Sequence, residues 1–479
     1  MKFFNRERVC HRCDFIRDPV YDTIIVGMGA AGCGAASVLC SAGKRVLALE
    51  AQNRVGGRVN TVPFGDSIVE LGAEWIHGER PSKLYDLILR NNISIHSQDQ
   101  SLQVFRSDGS SVDAELVDEL LQFAMDIIGA PPKEPQSLGE FITREIKHYL
   151  GVHYPSVLKD QEFVDQFLYY MNLIELNNES ADSWTDVTTE STYQDLEGDL
   201  CLSWHKYGYN TLFDILLNTY NNGTGFPTLD LRRESVVTKI TYPEDSKADV
   251  VVTCADGATY SARNVIVTVS LGVLKERYTS LFSPQLPLKK VDSIGQISFG
   301  AVGKIILNFN YNWWDSVPNY AFFWKTEDRK KIAYEDRWMI SIAGAVMPMS
   351  SNTSITLWTT GEGNRLVESL PDDVVKTKIM ELLRRFMGKN RTIPEPTAML
   401  RTSWYSNPFS RGTYSFDNLE TPLHPHARSV LAEPIADNMG TPRVLFAGEA
   451  TNSIHFATVH GALETGYREA HRSLSSSNL

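Results

Sequence analysis

Gly27-x-Gly29-Ala30-Ala31-Gly32 and, further along, Glu50 are the first residues in this sequence whose types and spacing suggest a ligand. Glycine suits tight turns and backbone that must approach a ligand closely. Gly27 would then serve the turn, Gly29 would bare amides to a pyrophosphate, and Gly32 would let a helix lie close on a strand. A helix starting at about Ala31 points its positive end at the phosphates, and Glu50 can accept hydrogen bonds from a ribose diol. Just beyond, Arg54 and Arg58 flank Gly56-Gly57, and their guanidinium groups can pair with an anionic diphosphate. Three more residues could act on a substrate: His77 beside Trp75, Lys304 at the head of Ile305-Ile306-Leu307, and Tyr414 in the aromatic stretch 403–416. His and Lys can carry protons, and a tyrosine face can shelter a cation. Taken singly, each also has a plain structural reading: a hydrogen-bonding His, a strand-end Lys, a core Tyr.

The elements that would position these residues follow from patterning. An apolar run at Ile24-Ile25-Val26, a small-residue helix from about Ala31 to Ala42 and a second apolar strand at Arg45–Leu49 form a βαβ unit, so the chain binds a dinucleotide. From about Ser97 to Tyr220 the pattern turns helical, as in Val112–Ile128 and Ser137–Leu150. Strand patterns return near Leu229, at Ser235–Ile240, Asp249–Thr253, Ala258–Tyr260 and Asn264–Val269. Near the end, Val444-Leu445-Phe446-Ala447 leads into Gly448-Glu449 and then a helix beginning near Thr458-Val459, a second strand–glycine–helix unit.

Glu50…Arg54-x-Gly-Gly57-Arg58 followed by Leu71-Gly72-Ala73-Glu74-Trp75-Ile76-His77-Gly78 resembles the FAD-dependent amine oxidases, and among them the polyamine oxidases of the spermine oxidase and N1-acetylpolyamine oxidase type. The resemblance extends from Tyr21 to His471. It implies an α/β fold: a Rossmann-like FAD-binding domain with an interleaved α+β substrate-binding domain, the amine oxidase or glutathione-reductase-like fold. The implied FAD-binding segments are 21–96, 225–296 and 424–475; the substrate-binding segments are 97–224 and 297–423; residues 1–20 form a tail. It further implies that Gly72-Ala73-Glu74-Trp75 runs beside the flavin ring and that His77 lies in the substrate channel. Backbone near Val237 would meet the adenine, and Trp404 would join the cofactor site. Lys304 would reach flavin N5 through a water, with a pKa lowered by an apolar flavin face. Tyr414 would form one wall of an aromatic slot, while Thr458 replaces the second tyrosine of monoamine oxidases and leaves the slot half open. Glu449 would bond the ribityl chain, and the amides near Thr458 and Val459 would face the flavin O2/N1 side. Thr413 stands where monoamine oxidases carry a flavin-bonding cysteine, so the FAD is expected to be non-covalent. Ser270 stands where the family pattern has proline. The implied reaction is hydride transfer from the carbon beside an amine of spermine, spermidine or an N-acetylated form to flavin N5. The imine would hydrolyse to aldehyde and amine, and O2 would become hydrogen peroxide.

Composition sets the outer bounds. A net charge of −12 argues against nucleic acid as a partner, and 10% aromatic residues suffice to line an apolar site. At 479 residues, two domains in a monomer are expected. The six cysteines form no disulfide framework; Cys33 and Cys40 read as packing groups, and Cys10-His11-Arg12-Cys13 lacks a second pair for a metal. No metal is expected. The charged N-terminus does not read as a secretory signal, and the uncharged stretch Thr23–Gly43 fits the nucleotide fold better than a membrane span. Cytoplasm is the expectation. Peroxisomal and secreted alternatives are raised by the terminal Ser-Asn-Leu and by sequons at Asn178, Asn222, Asn352 and Asn390. Between Gln161 and Trp204 there are acids throughout, including Glu175, Glu179 and Asp195, and no Lys or Arg. Most read as a solvated face, but Glu197 and Asp199, just before an aromatic-rich segment, are the candidates for gripping a remote ammonium. An L-amino-acid oxidase would need a basic group where Gly72-Ala73-Glu74-Trp75 stands, and a histone-lysine demethylase would carry further helical domains. A flavin protein without turnover would have no use for Lys304 and Tyr414.

Overall fold

A computed structural model describes residues 21–245 and 247–476. Cys10, Cys13 and the terminal Ser-Asn-Leu lie outside the described residues. A mixed nine-stranded sheet organises the nucleotide-side half. At its centre Tyr21–Val26 runs parallel to Val46–Leu49 on one side and to Thr259–Val267 on the other. Leu229–Arg232 and Pro442–Phe446 extend the parallel part outward, and Val237–Thr241 with Val250–Cys254 adds an antiparallel flank. Ile24, Ile25, Leu47, Val265 and Ile266 are fully buried. That is the near-continuous apolar pattern of strands covered on both faces.

The two strands expected at Ala258–Tyr260 and Asn264–Val269 are one nine-residue strand, Thr259–Val267. Its first half pairs with Val250–Cys254, and its second half continues between Tyr21–Val26 and Pro442–Phe446. The polar pair Arg263-Asn264 looks like a break in sequence. In the fold, the Asn264 amide is buried, accepting from the Thr23 hydroxyl at 2.9 Å and donating to Ser473 at 2.9 Å. A satisfied polar group can thus sit in mid-strand.

The helix Ala30–Ser41 packs along Val459–Ser476 more extensively than any other pair of elements. Small residues permit this: a Cβ on Gly34 would come within 2.7 Å of Leu463, and one on Gly466 within 2.1 Å of the Ala31 carbonyl. A Cβ on Gly32 would lie 2.0 Å from the Gly27 carbonyl, so only glycine lets the helix descend onto the turn. Ser270 fills the family's proline position by capping the helix Leu271–Leu281. Its hydroxyl accepts from the Val273 amide and donates to Ser410 O at 2.6 Å.

The second sheet has six strands in the order Ala398–Arg401, Val302–Asn308, Ser354–Thr360, Gly344–Val346, Asn319–Phe323 and Leu102–Arg106. Along Asn319–Phe323 the side chains alternate. Ala321 and Phe323 face a core made with the helices Ala114–Gly129, Leu138–His153 and Gln161–Glu179, while Tyr320 and Phe322 face one made with Asp372–Met387. One segment departs from the domain limits read in sequence. Leu202–Ser203 pairs with Trp75–Ile76, and Leu212, Phe213 and Leu216 join the nucleotide-side core with the helix Ala30–Ser41, although 97–224 was assigned to the substrate side. The amphipathic pattern of that segment shows a buried face without saying which core receives it.

Candidate active site

The nucleotide end is built from turns. Gly27 has φ +97°, and Gly29 precedes a helix whose first amides receive no side-chain cap, leaving their donors open to an anion. The Glu50 carboxylate accepts one amide on each oxygen, Met28 N and Gln52 N, both at 2.8 Å. Burial pushes its pKa up, against the pull of these amides. Two of about four acceptor positions are filled, which leaves room for a ribose diol. Arg54 differs from the expectation of a diphosphate partner. Its guanidinium donates to the carbonyls of Val55, Val59 and Gly57, so it ties the loop 54–59 to itself. Gly57 lies over Gly29, where an added Cβ would come within 3.3 Å of Gly29 Cα. Val237, at the start of its strand, is 7% exposed and part of the neighbouring core.

Arg58 and Glu449 meet at 3.0 Å where the two glycine units converge, and Arg58 also donates to the Thr413 carbonyl. Burial pushes the Glu449 carboxyl up, but Arg58, the Ser415 hydroxyl at 2.6 Å and Arg428 outweigh it and hold it below its ordinary value. The Ala457 amide donates to the same carboxylate at 2.9 Å. Arg428 continues the chain of polar contacts through Ser415 to Asp417. Gly448, at φ +132°, faces open space: a Cβ there would meet nothing within 4 Å. The crevice beside it is lined by Arg58, Val267, Val269, Leu271, Gly448 and Glu449.

Lys304 is 3% exposed. Its Nζ donates to the carbonyls of Glu70 and Gly72, both at 2.9 Å, and to Glu74 Oε2 at 2.7 Å. It also stands 4.4 Å from the centre of the Trp358 ring, and Trp75 stacks on that ring at 5.7 Å. The apolar surroundings expected for this lysine are thus replaced by a carboxylate partner. Trp404 fixes the same segment by donating from Nε1 to Leu71 O at 3.1 Å, and the Ala73 amide donates to Arg58 O. Gly72 has no room for a side chain, since a Cβ would lie 1.9 Å from Arg58 O.

His77 Nδ1 lies 2.7 Å from Leu200 O. A carbonyl only accepts, so Nδ1 carries the proton and Nε2 keeps its lone pair. Burial lowers the His77 pKa, against the Leu200 carbonyl and Asp195. Nearby His460 is pushed down to about 3 by burial, His455 and His77, and its Nε2 is buried without a partner.

Tyr414 donates its phenol to Asn177 O, at the end of the helix Gln161–Glu179. Burial and then the Glu179 charge raise the phenol pKa. Ser180 locks that helix end in place, donating to Tyr414 O at 2.9 Å and sitting so close to Gly300 that no Cβ would fit there. Two acids on the helix depart from a fully solvated face, Glu175 buried and Glu179 half-buried. Burial pushes Glu175 up to about 7, and burial with the neighbouring Glu175 and Asp417 pushes Glu179 up to about 8. Neither forms an ion pair among the described residues. A signal for them was present: they stand one turn apart among Met171, Leu173 and Leu176, on the apolar face of a helix. The acids singled out instead differ. Glu197 is exposed, and Asp199 accepts from the Cys201 amide at 2.7 Å. Both nevertheless border the His77 segment, since Gly78 N donates to Asp199 O and Glu79 N to Glu197 O. Thr458 uses its hydroxyl to cap the terminal helix, accepting from Gly461 N, while Val459 opens that helix. Trp358 and Glu175 were not read from sequence at all as site residues.

The residues present fit a flavin dinucleotide. The uncapped helix amides after Gly29 and the Glu50 carboxylate suit the nucleotide end, and Gly448, Arg58 and Glu449 border a crevice that suits the other. Among the described residues no cluster of His, Cys, Asp and Glu could hold a metal, and no helix is long and apolar enough to cross a membrane.

Comparison with known proteins agrees with this geometry. The family described as flavin containing amine oxidoreductase matches residues 30–474. The chain is 30% identical to the human peroxisomal N(1)-acetyl-spermine/spermidine oxidase, over 94% of both chains. It is 26% identical to probable polyamine oxidase 5 of Arabidopsis thaliana, covering 94% of this chain and 97% of that one. It is also 30% identical to human lysine-specific histone demethylase 2, covering 93% of this chain and 52% of that one. With a family match across nearly its whole length and glycine turns and acids suited to a dinucleotide, the chain belongs to the flavin-containing amine oxidoreductases.

Proposed function

We propose that this flavin amine oxidoreductase acts on polyamines, of the spermine, spermidine or N-acetylated class, with O2 as the electron acceptor. The reading rests chiefly on two acids of the helix Gln161–Glu179, the buried Glu175 and the half-buried Glu179 beside Tyr414, which form no ion pair among the described residues. Burying carboxylates unpaired is costly, so a site that keeps them is suited to a ligand that brings its own ammonium groups. An amine bound there releases a proton to reach the reactive neutral form, and His77 Nε2 is the free base available to take it. Tyr414 offers a ring face that tolerates both a cation and an apolar C–H. Flavin, when bound, supplies hydride acceptance and reoxidation by O2. Lys304, Trp75 and the segment Gly72–Glu74 form the wall against which the cofactor would lie, and Glu197 and Asp199 stand near the approach to His77. Likeness over 94% of the human N(1)-acetyl-spermine/spermidine oxidase supports the same substrate class.

The test is peroxide release, with product identification, over spermine, spermidine, their N-acetylated forms, simple monoamines and an N-methylated lysine peptide. Turnover of the polyamines at least tenfold more efficient than of the others is expected. Preference for the methylated peptide would replace this reading with the demethylase-like one, and no peroxide from any amine by a chain that retains FAD would favour a non-catalytic flavoprotein.

A further inference from the structure

The Lys304 ammonium has three N–H groups, and the protein takes all three: two go to the carbonyls of Glu70 and Gly72 and one to the Glu74 carboxylate. Lysine and glutamate are 3% and 8% exposed, so their 2.7 Å pairing is barely screened by solvent. The Trp358 ring lies 4.4 Å from Nζ and is itself stacked on Trp75, so the lysine has little freedom to swing elsewhere. Neither carbonyl acceptor depends on a side chain. The carboxylate is the one partner in this set that a substitution can remove, and it is the one that brings a charge.

We infer that Glu74 is a positioning residue. It holds Lys304 as a fixed cation in the cofactor wall and cancels most of that cation's field, so that the pair sets how readily bound flavin accepts electrons. The inference rests on the flavin cofactor of this family and not on which amine is oxidised. Two features connect the pair to the cofactor site. Glu74 directly precedes Trp75 and follows Gly72-Ala73, which pack on Arg58. Lys304 lies two residues from Val302, whose amide donates to the Thr413 hydroxyl at 3.1 Å, and the Thr413 carbonyl takes the Arg58 guanidinium. Flavin gains negative charge on reduction, and charges near the ring tune that step. Wild type presents a pair of net charge zero. Glu74→Gln leaves a net positive charge and the double variant none, while Lys304→Met leaves a net negative one at a pH that keeps the unpaired Glu74 ionised, so the variants are compared at about pH 9.

The experiment compares holoenzymes without any amine, measuring the ratio of reduced to oxidised flavin at equilibrium with a reference dye of fixed potential. In Glu74→Gln the ratio should rise roughly fivefold or more over wild type, and in Lys304→Met it should fall by a similar factor, as expected for one uncompensated charge a short distance away. The double variant should return to within about twofold of wild type, and Glu74→Asp should stay there too. If Glu74→Gln does not fold, Lys304→Met against the double variant still decides, because they differ only in the charge at position 74. Equal ratios in those two, with FAD bound, overturn the inference and leave the cofactor assignment intact. A wild-type chain that binds no FAD overturns both.

Discussion

Glu179 and Tyr414 reach the same space from different halves of the chain, one from the end of a helix and the other from a turn after Trp404. Replacing Glu179 by Gln removes the charge while keeping the shape. The expected result is a Michaelis constant for spermine raised about tenfold, with a much smaller change for a monoamine, since one charge-assisted hydrogen bond contributes about 1.5–3 kcal/mol. Steady-state kinetics on the two substrates checks this. At His77, whose pKa burial lowers, the free-enzyme limb of the pH profile set by this residue should lie below the ordinary histidine value. His77→Gln should remove that limb from kcat/KM. At this scale the sequence was informative where a residue sits in a motif. Lys304, Tyr414 and Glu449 could be named because their neighbours resemble a family pattern; in the fold Glu449 pairs with Arg58, and Lys304 with Glu74. The acids were not legible in the same way. Their run lacks any basic residue and reads as solvated as a whole, and the local signal that sets Glu175 apart, its apolar helix neighbours Met171, Leu173 and Leu176, is outweighed in that reading by the run of acids.

Elements gave a different balance. The βαβ unit, the helices beginning near 112 and 137 and the closing strand–glycine–helix unit are each within a few residues of their expected limits, because periodicity and glycine spacing are local signals. What periodicity lacks is information on partners. It could not show that Leu202–Ser203 would pair with Trp75–Ile76, nor that Asn264 would be satisfied inside a strand by Thr23 and Ser473. The tight contact between Ala30–Ser41 and Val459–Ser476 makes a clear prediction. Gly34→Val places branched carbon where a Cβ already falls 2.7 Å from Leu463, so it should destabilise the fold by about 1–3 kcal/mol and weaken FAD retention. Thermal unfolding and flavin fluorescence after gel filtration measure the two effects. Ser270→Ala should cost about 1 kcal/mol through loss of a helix cap.

For the molecule as a whole, pH acts through the buried acids. Glu175 and Glu179 hold protons more tightly folded, near 7 and 8, than in the unfolded chain, where 4.5 applies. Their contribution to stability is therefore complete below about pH 4.5 and is lost as pH rises through 7 to 8. Amine-free protein should lose several degrees of melting temperature across that interval, and Glu175→Gln/Glu179→Gln should flatten the slope. If the acids receive a polyamine's ammonium groups as proposed, spermine present during the scan should restore stability at the upper end.

The strand Thr259–Val267 has a further consequence, one of chain continuity. It is laced between Tyr21–Val26 and Pro442–Phe446, and the turn that precedes its hairpin carries the exposed residues Glu244, Asp245 and Lys247. A protease that cuts after Lys247 would therefore sever the polypeptide without opening the sheet. The two pieces should separate on a denaturing gel yet elute together, with flavin still bound, from a native column. Such a result would make the backbone bond at that turn dispensable once folding is complete, and would mark the same site as a place to divide the gene into two separately expressed halves.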